Sequence, residues 1–194
     1  MYLIITASPN TDGLTAACGK AAYDGITSAG GEAEIVDISA KKLEPCLICG
    51  DGWGTCRNDG LCNVKDMFEE LQEKFRNAEG VILVSPVYFS QPSERMRYFF
   101  ERFRRCDVFS ENGGRGKDKQ VDIIAAAGGG GGGTVNCLAE MELFCRQVGA
   151  MPKDKIPVTR FTRELTMPII TDSAARMVKG NYFKGFKPGT TELK

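Results

Sequence analysis

Short apolar runs and helical stripes of apolar residues alternate along most of the chain. The first residues, Met-Tyr-Leu-Ile-Ile-Thr-Ala, form an apolar run that ends in a polar turn. Helical spacing follows at once, because apolar or small residues recur at Leu14, Cys18, Ala22 and Ile26. The same kind of pattern predicts four more strands, at residues 32–38, 80–85, 121–127 and 155–160. The chain is therefore expected to contain five strand-and-helix units with parallel strands.

The order of these units predicts a doubly wound α/β fold. Right-handed crossovers place helices on both faces of an open parallel sheet, for which we expect the strand order 2-1-3-4-5. One domain over residues 1–194 fits the length of the chain, with an aperiodic cysteine-rich insert at 41–63 and a tail at 164–194. In the tail the pattern predicts at most one short helix, at 172–178.

The helix after the third strand has both an apolar face and many arginines. Its apolar face consists of Met96, Phe99, Phe100 and Phe103. Five arginines are left to the other faces: Arg95, Arg97, Arg102, Arg104 and Arg105. We interpret most of them as solvated, because arginine is rarely buried completely. Contact with a dinucleotide phosphate or with a second subunit is the alternative.

Three unusual turns follow the first, third and fourth predicted strands, at residues 8–15, 86–91 and 128–134. These strands are neighbours in a 2-1-3-4-5 sheet, and ligands of such sheets bind at the carboxyl ends of the strands. We therefore expect the three turns to converge on one edge of the sheet.

The first turn has the composition of an anion site. It opens onto a helix N-terminus, where unpaired amides and the helix dipole favour a phosphate. No Lys or Arg lies between Met1 and Gly19, so the donors would be neutral: Ser8, Thr11, Thr15 and backbone amides. The turn lacks both the Gly-Lys-Ser/Thr of a P-loop and the three glycines of a dinucleotide turn. A monophosphate such as that of FMN fits better, and an ordinary capped helix is the alternative.

The third turn begins with six consecutive glycines, residues 128–133, between a buried strand and a strong helix. A flexible linker at this position would cost folding entropy, whereas close approach of the backbone to a planar ligand would account for the glycines. We interpret the run as a ligand loop.

Composition narrows the function further. Lys plus Arg and Asp plus Glu number 25 each, and the absence of a basic or strongly apolar segment indicates a cytoplasmic protein that binds neither nucleic acid nor membrane. The chain contains no histidine, which excludes a histidine general base, a Ser/His or Cys/His pair and a histidine-ligated zinc. Difficult chemistry would therefore be carried by a cofactor.

Eight cysteines in such a chain are more typical of reduced thiols or metal ligands than of disulfides. Four of them, Cys46, Cys49, Cys56 and Cys62, lie in the insert at spacings of two, six and five residues. This set suits an iron-sulfur cluster, a zinc ion or free redox-active thiols. The other four are expected to be small buried hydrophobes on helices: Cys18, Cys106, Cys137 and Cys145.

The three turns give the chain a resemblance to the flavodoxin-like NAD(P)H-dependent FMN reductases, and in particular to their iron-sulfur flavoprotein branch. The family's phosphate turn, Ser-Pro-Arg-x-x-Gly-Asn-Thr, is matched at Ser8, Pro9, Gly13 and Thr15, while Asn10 and Leu14 replace its arginine and asparagine. The family's Ser-Pro-Val-Tyr-Phe signature is matched at residues 85–89. The resemblance extends to about residue 163.

The resemblance implies a set of cofactor-binding residues. It implies that the FMN phosphate is bound by Ser8, Asn10, Thr11, Gly13, Leu14 and Thr15. It implies that the isoalloxazine ring is lined by Pro86, Val87, Tyr88, Phe89, Ser90, Gly128, Gly129 and Gly130. The resemblance to the iron-sulfur branch implies that the four insert cysteines bind a four-iron cluster. In that branch two residues separate the second and third cysteines, whereas six separate Cys49 and Cys56 in this chain.

The implied activity is that of an FMN-dependent NAD(P)H oxidoreductase that reduces a quinone, another small molecule or a one-electron protein partner. Relatives are homodimers or homotetramers, and the aromatic segment at 181–186 is a candidate subunit contact or a frayed terminus. A non-enzymatic flavodoxin-like electron carrier and a zinc-binding module on the same scaffold are the alternatives. The acceptor and the choice between NADH and NADPH are left open.

Overall fold

The computed structural model describes residues 1–108, 116 and 118–180. The strands are β1 (Tyr2–Thr6), β2 (Ala33–Asp37), β3 (Gly80–Tyr88), β4 (Gln91–Pro92), β5 (Gln120–Ala127) and β6 (Met151–Thr159). The helices are α1 (Leu14–Ser28), α2 (Thr55–Asn58), α3 (Phe68–Asn77), α4 (Glu94–Asp107), α5 (Thr134–Gln147) and α6 (Arg163–Lys179). All five predicted strands are present, and the insert contains only the single-turn helix α2.

The main sheet has the order β2-β1-β3-β5-β6, with every neighbouring pair parallel. Counted without the short β4, this is the predicted order 2-1-3-4-5, so the prediction is confirmed. The sequence did not predict β4, which pairs antiparallel with the end of β3 through Val87 with Pro92 and Tyr88 with Gln91. The second unusual turn is thus the tip of a two-residue hairpin.

Helices cover both faces of the sheet and bury two separate apolar cores. Alternate residues of β1 point to opposite faces, so that Leu3 contributes to one core and Ile4 to the other. The core under α3, α4 and α5 is rich in aromatic rings, with Phe100 stacked on Phe144 at a centroid distance of 4.1 Å. The other core lies between the sheet and the helices α1 and α6.

The prediction of at most one short helix in the tail, at 172–178, was wrong. Helix α6 has 17 residues and packs on α1, where the hydroxyl of Thr171 donates a hydrogen bond to the Ala21 carbonyl at 3.2 Å. Pro168 and neighbouring β-branched residues weaken its intrinsic helical pattern, so packing on α1 rather than propensity stabilises it. The segment 181–186 lies outside the described residues.

Within the described part of the chain, no helix combines the length and the apolar character needed to cross a bilayer.

Candidate functional site

The first turn leaves the N-terminus of α1 open. The N-cap residue is Gly13, and within the described ranges no side chain caps the helix and no acidic residue lies in its first turn. A Cβ added at Gly13 would lie 2.9 Å from Nδ2 of Asn10, the end of an exposed side chain that can move aside, so the turn favours glycine without requiring it. The amides at the start of α1 are therefore available to an anion.

Four predicted phosphate ligands line one pocket beside this N-terminus: Ser8, Asn10, Thr11 and Thr15. Asp37 also lines the pocket, but its carboxylate accepts hydrogen bonds from the amides of Ser39 and Ala40 at 2.8 and 3.1 Å. Leu14 packs its side chain against the core under α1, so it can offer only its backbone amide. The pocket combines these neutral side chains and the Asp37 carboxylate with a helix N-terminus.

The hairpin after β3 has a strained tip. Phe89 and Ser90 both have left-handed backbone angles, with φ of +48° and +68°, which cost non-glycine residues about 1–3 kcal/mol each. The Phe89 ring is 100% exposed, Tyr88 is also exposed, and the preceding Pro86 is buried in β3. Burial does not account for the Phe89 side chain, so the hairpin presents a free aromatic ring at the carboxyl edge of the sheet.

The glycine run gives the same edge an open backbone surface. Gly128, Gly129 and Gly130 are exposed, and a Cβ added at any of them would meet no atom within 4 Å. Gly133 differs, because its added Cβ would lie 2.5 Å from the Cα of Ser90. The second and third turns are therefore in direct contact, which is the convergence expected from the strand order.

Ser93 joins the first turn to the second, although it was not among the predicted site residues. Its buried hydroxyl donates a hydrogen bond to the Ala7 carbonyl at 2.9 Å, and its amide donates to Oγ of Ser85 at 2.9 Å. Ser93 is also the N-cap of α4. The signal for this role is a serine that follows Pro92 and immediately precedes the helical stripe.

The four insert cysteines line a single cavity against the second half of α4, together with Arg102, Arg105 and Cys106. Their side chains are half-buried, and the amide of Ile48 donates to Sγ of Cys46 at 3.5 Å. Across residues 1–108, 116 and 118–180, no three Cys, Asp or Glu side chains are close enough together to hold a single metal ion. The thiols thus surround a space rather than converging on one point.

Arg102 corrects the interpretation that the α4 arginines are mostly solvated. Its side chain is fully buried and donates to both carboxylate oxygens of Asp66, at 2.6 and 2.9 Å, while its guanidinium lies 4.2 Å from the centroid of the Phe68 ring. The signal was its register: Arg102 is three residues after Phe99 and four before Cys106, on the buried stripe of the helix.

The Arg102–Asp66 pair sets the protonation of both groups. Burial by itself would raise the pKa of Asp66, but hydrogen bonds from Arg102 and from the amides of Glu44 and Phe68 outweigh it, so the pKa is lowered. Burial likewise opposes the charge of Arg102, yet its hydrogen bond to Asp66 and the proximity of Cys62 raise its pKa. Both groups are therefore charged at neutral pH.

The four helix cysteines are buried, as predicted. At most 1% of the surface of each is exposed, and burial raises the pKa of their thiols to about 12: Cys18, Cys106, Cys137 and Cys145. They are neutral packing groups, in contrast to the half-buried cysteines of the insert.

A five-stranded parallel sheet of this strand order, with unusual turns at the carboxyl ends of β1, β3 and β5, defines a flavodoxin-like fold. A family model described as NADPH-dependent FMN reductase matches residues 2–159. The chain belongs to the NADPH-dependent FMN reductase family.

Individual relatives agree with this family. An iron-sulfur flavoprotein of Methanocaldococcus jannaschii is 33% identical over 100 residues, which are 52% of this chain and 50% of the relative. An iron-sulfur flavoprotein of Archaeoglobus fulgidus is 35% identical over 98 residues, which are 50% of this chain and 43% of the relative. The chain thus spans about half the length of the curated relatives it matches.

The fold also matches solved structures. An NAD(P)H:quinone oxidoreductase of Methanothermobacter marburgensis superposes with a TM-score of 0.68 at 15% identity, over 91% of this chain and 94% of the other. At this identity the match establishes the shared fold alone.

Proposed function

We propose that this protein is an FMN-dependent NAD(P)H oxidoreductase. The observation that carries the proposal is the meeting of three turns at one edge of the sheet. These are a pocket of neutral polar side chains and the Asp37 carboxylate at an open helix N-terminus, a hairpin with exposed aromatic rings, and an uncrowded glycine backbone. The pocket would bind the FMN phosphate, the aromatic rings would lie beside the isoalloxazine ring, and the glycine backbone would lie against the face of that ring. Membership of the FMN reductase family supports the same cofactor.

The residues divide the binding of FMN among them. Ser8, Asn10, Thr11, Thr15 and the amides of Gly13 and Leu14 would hold the phosphate. The segment 86–90 and Gly128, Gly129 and Gly130 would line the ring. When bound, FMN accepts hydride from the nicotinamide and passes the electrons to an acceptor, so the chain itself needs no acid or base.

We further propose that the insert cysteines bind a four-iron cluster. Two observations support this: the four thiols surround one cavity beside two arginines, and the relatives carry the name iron-sulfur flavoprotein. A single zinc ion would need thiols that converge on one point, which makes it the weaker candidate. With a cluster, a one-electron protein partner becomes the expected acceptor, and without one a quinone or another small molecule does.

The test is an absorption spectrum of anaerobically purified protein before and after NADPH or NADH is added, with iron, sulfide and zinc measured on the same sample. Flavin bands that bleach support the reductase, and about four irons per chain support the cluster. Flavin that a partner reductase reduces but NAD(P)H does not would assign an electron carrier instead. The double variant Ser8→Ala/Thr15→Ala should weaken FMN binding at least tenfold, whereas the exposed Thr27→Ala serves as the control.

Assembly and location are part of the proposal. We expect a homodimer or homotetramer, which light scattering of the purified protein would test. None of the eight cysteines, all of which lie within the described residues, is paired in a disulfide, which suits a reducing compartment such as the cytoplasm.

A further inference from the structure

Residues 44–66 are here called the cysteine loop. The side chain of Arg102 on α4 contacts both ends of this loop. The amide of Glu44 donates to Oδ2 of Asp66 at 2.8 Å, which brings the two ends of the loop together. Arg102 spans both ends, because it donates to the carbonyls of Glu44 and Val64 at 2.9 and 3.1 Å as well as to Asp66. Arg102 therefore joins the two ends of the loop.

Arg105 holds the tip of the loop in a similar way. Its Nη1 donates to the Gly52 carbonyl at 2.7 Å, and its guanidinium lies 4.9 Å from the centroid of the Trp53 ring. Glu101, one turn earlier on α4, accepts from Nε of Arg105 at 3.3 Å and orients it. The two arginines are three residues apart, so they lie on the same face of α4.

These contacts join protein groups to one another, so each of them can form independently of what the thiols bind. Inside the loop the hydroxyl of Thr55 adds contacts to the Leu61 carbonyl and to Oδ1 of Asn63, at 2.8 and 2.7 Å. Both arginines also line the cavity that the four insert cysteines share. Arg102 also interacts with Cys62, so its positive charge would offset part of the repulsion among four thiolates.

We propose that Arg102 and Arg105 are positioning residues that hold the cysteine loop in a preformed shape, with its four thiols around one cavity, before any metal or cluster binds. The inference deepens the proposed function, on which it rests only for the identity of the bound group. Preformation lowers the ordering cost that binding would otherwise have to meet.

Helix α4 also fixes the position of the cysteine loop relative to the three turns that would bind FMN. Ser93 at its N-terminus is tied to the end of β1, and Arg102 is nine residues further along. At 1.5 Å per residue this is roughly 14 Å of rigid helix. The arginines thus fix the cysteine cavity at a set distance from the edge that would bind FMN.

The test uses Trp53, the single tryptophan of the chain, as a reporter of the loop. Metal-free, reduced full-length protein is prepared as wild type, Arg102→Met, Arg105→Met and the control Arg104→Met, whose side chain does not line the cysteine cavity. Acrylamide quenching of Trp53 fluorescence and the rates of thiol modification are then measured, together with the urea midpoint of global unfolding.

We expect the acrylamide quenching constant of Trp53 to be several-fold lower in metal-free wild type and in Arg104→Met than in urea-unfolded protein. Arg105→Met should raise the quenching constant at least threefold with an unchanged urea midpoint, and Arg102→Met should speed modification of the loop thiols about tenfold. Because Arg102 is buried and its loss endangers folding, Arg105→Met decides the matter if Arg102→Met does not fold. Equal quenching in wild type and Arg105→Met, or a metal-free wild type as accessible as in urea, would overturn the proposal.

Loading with ferrous iron and sulfide separates this proposal from the function on which it rests. At equal urea midpoints, Arg105→Met should bind iron about tenfold more weakly than wild type. If wild type takes up no iron but the arginine variants still expose Trp53, the preformed loop stands and the cluster assignment fails.

Discussion

Gly133 and Ser90 are in contact so close that no side chain fits between them: a Cβ at Gly133 would lie 2.5 Å from Cα and 2.6 Å from Oγ of Ser90. Gly133 also has a left-handed φ of +83°, which favours glycine. The contact locks the glycine turn onto the strained hairpin tip and so fixes the relative position of two of the three turns.

Two substitutions in the glycine run should have different effects. Gly133→Ala combines an unfavourable φ with a clash against backbone, so the free energy of unfolding should fall by about 2–4 kcal/mol. Gly129→Ala meets no atom within 4 Å and should change stability by less than about 0.5 kcal/mol, yet weaken FMN binding because its methyl group occupies the proposed ring surface. Urea unfolding and FMN titration of both variants check this. Full FMN affinity in Gly129→Ala would remove Gly129 from the proposed site.

The tie between the first and second turns can be tested at Ser93. Ser93→Ala removes the hydrogen bond to the buried Ala7 carbonyl and the N-cap of α4, so it should lower the free energy of unfolding by about 1–3 kcal/mol. The control is Ser28→Ala, an exposed serine whose hydroxyl donates only to a carbonyl within its own helix. A loss no larger than that of the control would mean that Ser93 does not join the turns.

The meeting of the three turns at one edge of the sheet could be predicted from the sequence, but the contacts that hold these turns and the cysteine loop in place could not. Strand order follows from five apolar runs and the handedness of crossovers, so the meeting of the three turns could be predicted. The contact of Ser90 with Gly133 could not, because β4 has two residues and one is a proline. The burial of Arg102 was missed because arginine is usually exposed, although its position on the apolar stripe of α4 indicated the opposite.

Only residues 172–178 of α6 were predicted to be helical, because packing on α1 rather than intrinsic propensity stabilises this helix. The packing can be tested at Gly25. A Cβ at Gly25 of α1 would lie 2.2 Å from the Thr171 carbonyl oxygen and 2.9 Å from Cβ of Ala174. Gly25→Ala should therefore destabilise by about 1–3 kcal/mol, despite the helix propensity gained from alanine. Thermal or urea unfolding measures the loss. A stabilised variant would show that α6 does not pack on α1 in this register.

The two classes of cysteine should differ in reactivity. In metal-free, reduced protein a thiol reagent should modify the four half-buried loop cysteines first. The four helix cysteines should react at least about 100-fold more slowly, because they are buried and their thiols have a pKa raised to about 12. Full unfolding should release all eight. Six or more fast thiols in the folded protein would contradict the burial of the helix cysteines.

The Arg102–Asp66 pair predicts a pH dependence of stability with a definite sign. The pKa of Asp66 is lowered in the folded protein, so its contribution to stability is complete above the ordinary carboxyl pKa of about 4 and is lost as the pH falls through the lower folded value. Asp66→Asn leaves the buried Arg102 without a counter-charge and should cost about 3–5 kcal/mol at neutral pH.

The difference between wild type and Asp66→Asn should stay constant from about pH 7 to pH 5 and shrink below about pH 4, as measured by urea unfolding across this range. The control is Asp172→Asn, which removes a surface ion pair with Arg176 and should cost less than about 1 kcal/mol at every pH. A difference that grows as the pH falls would mean that the folded state raises the pKa of Asp66, and Arg102 would then not be its charged partner.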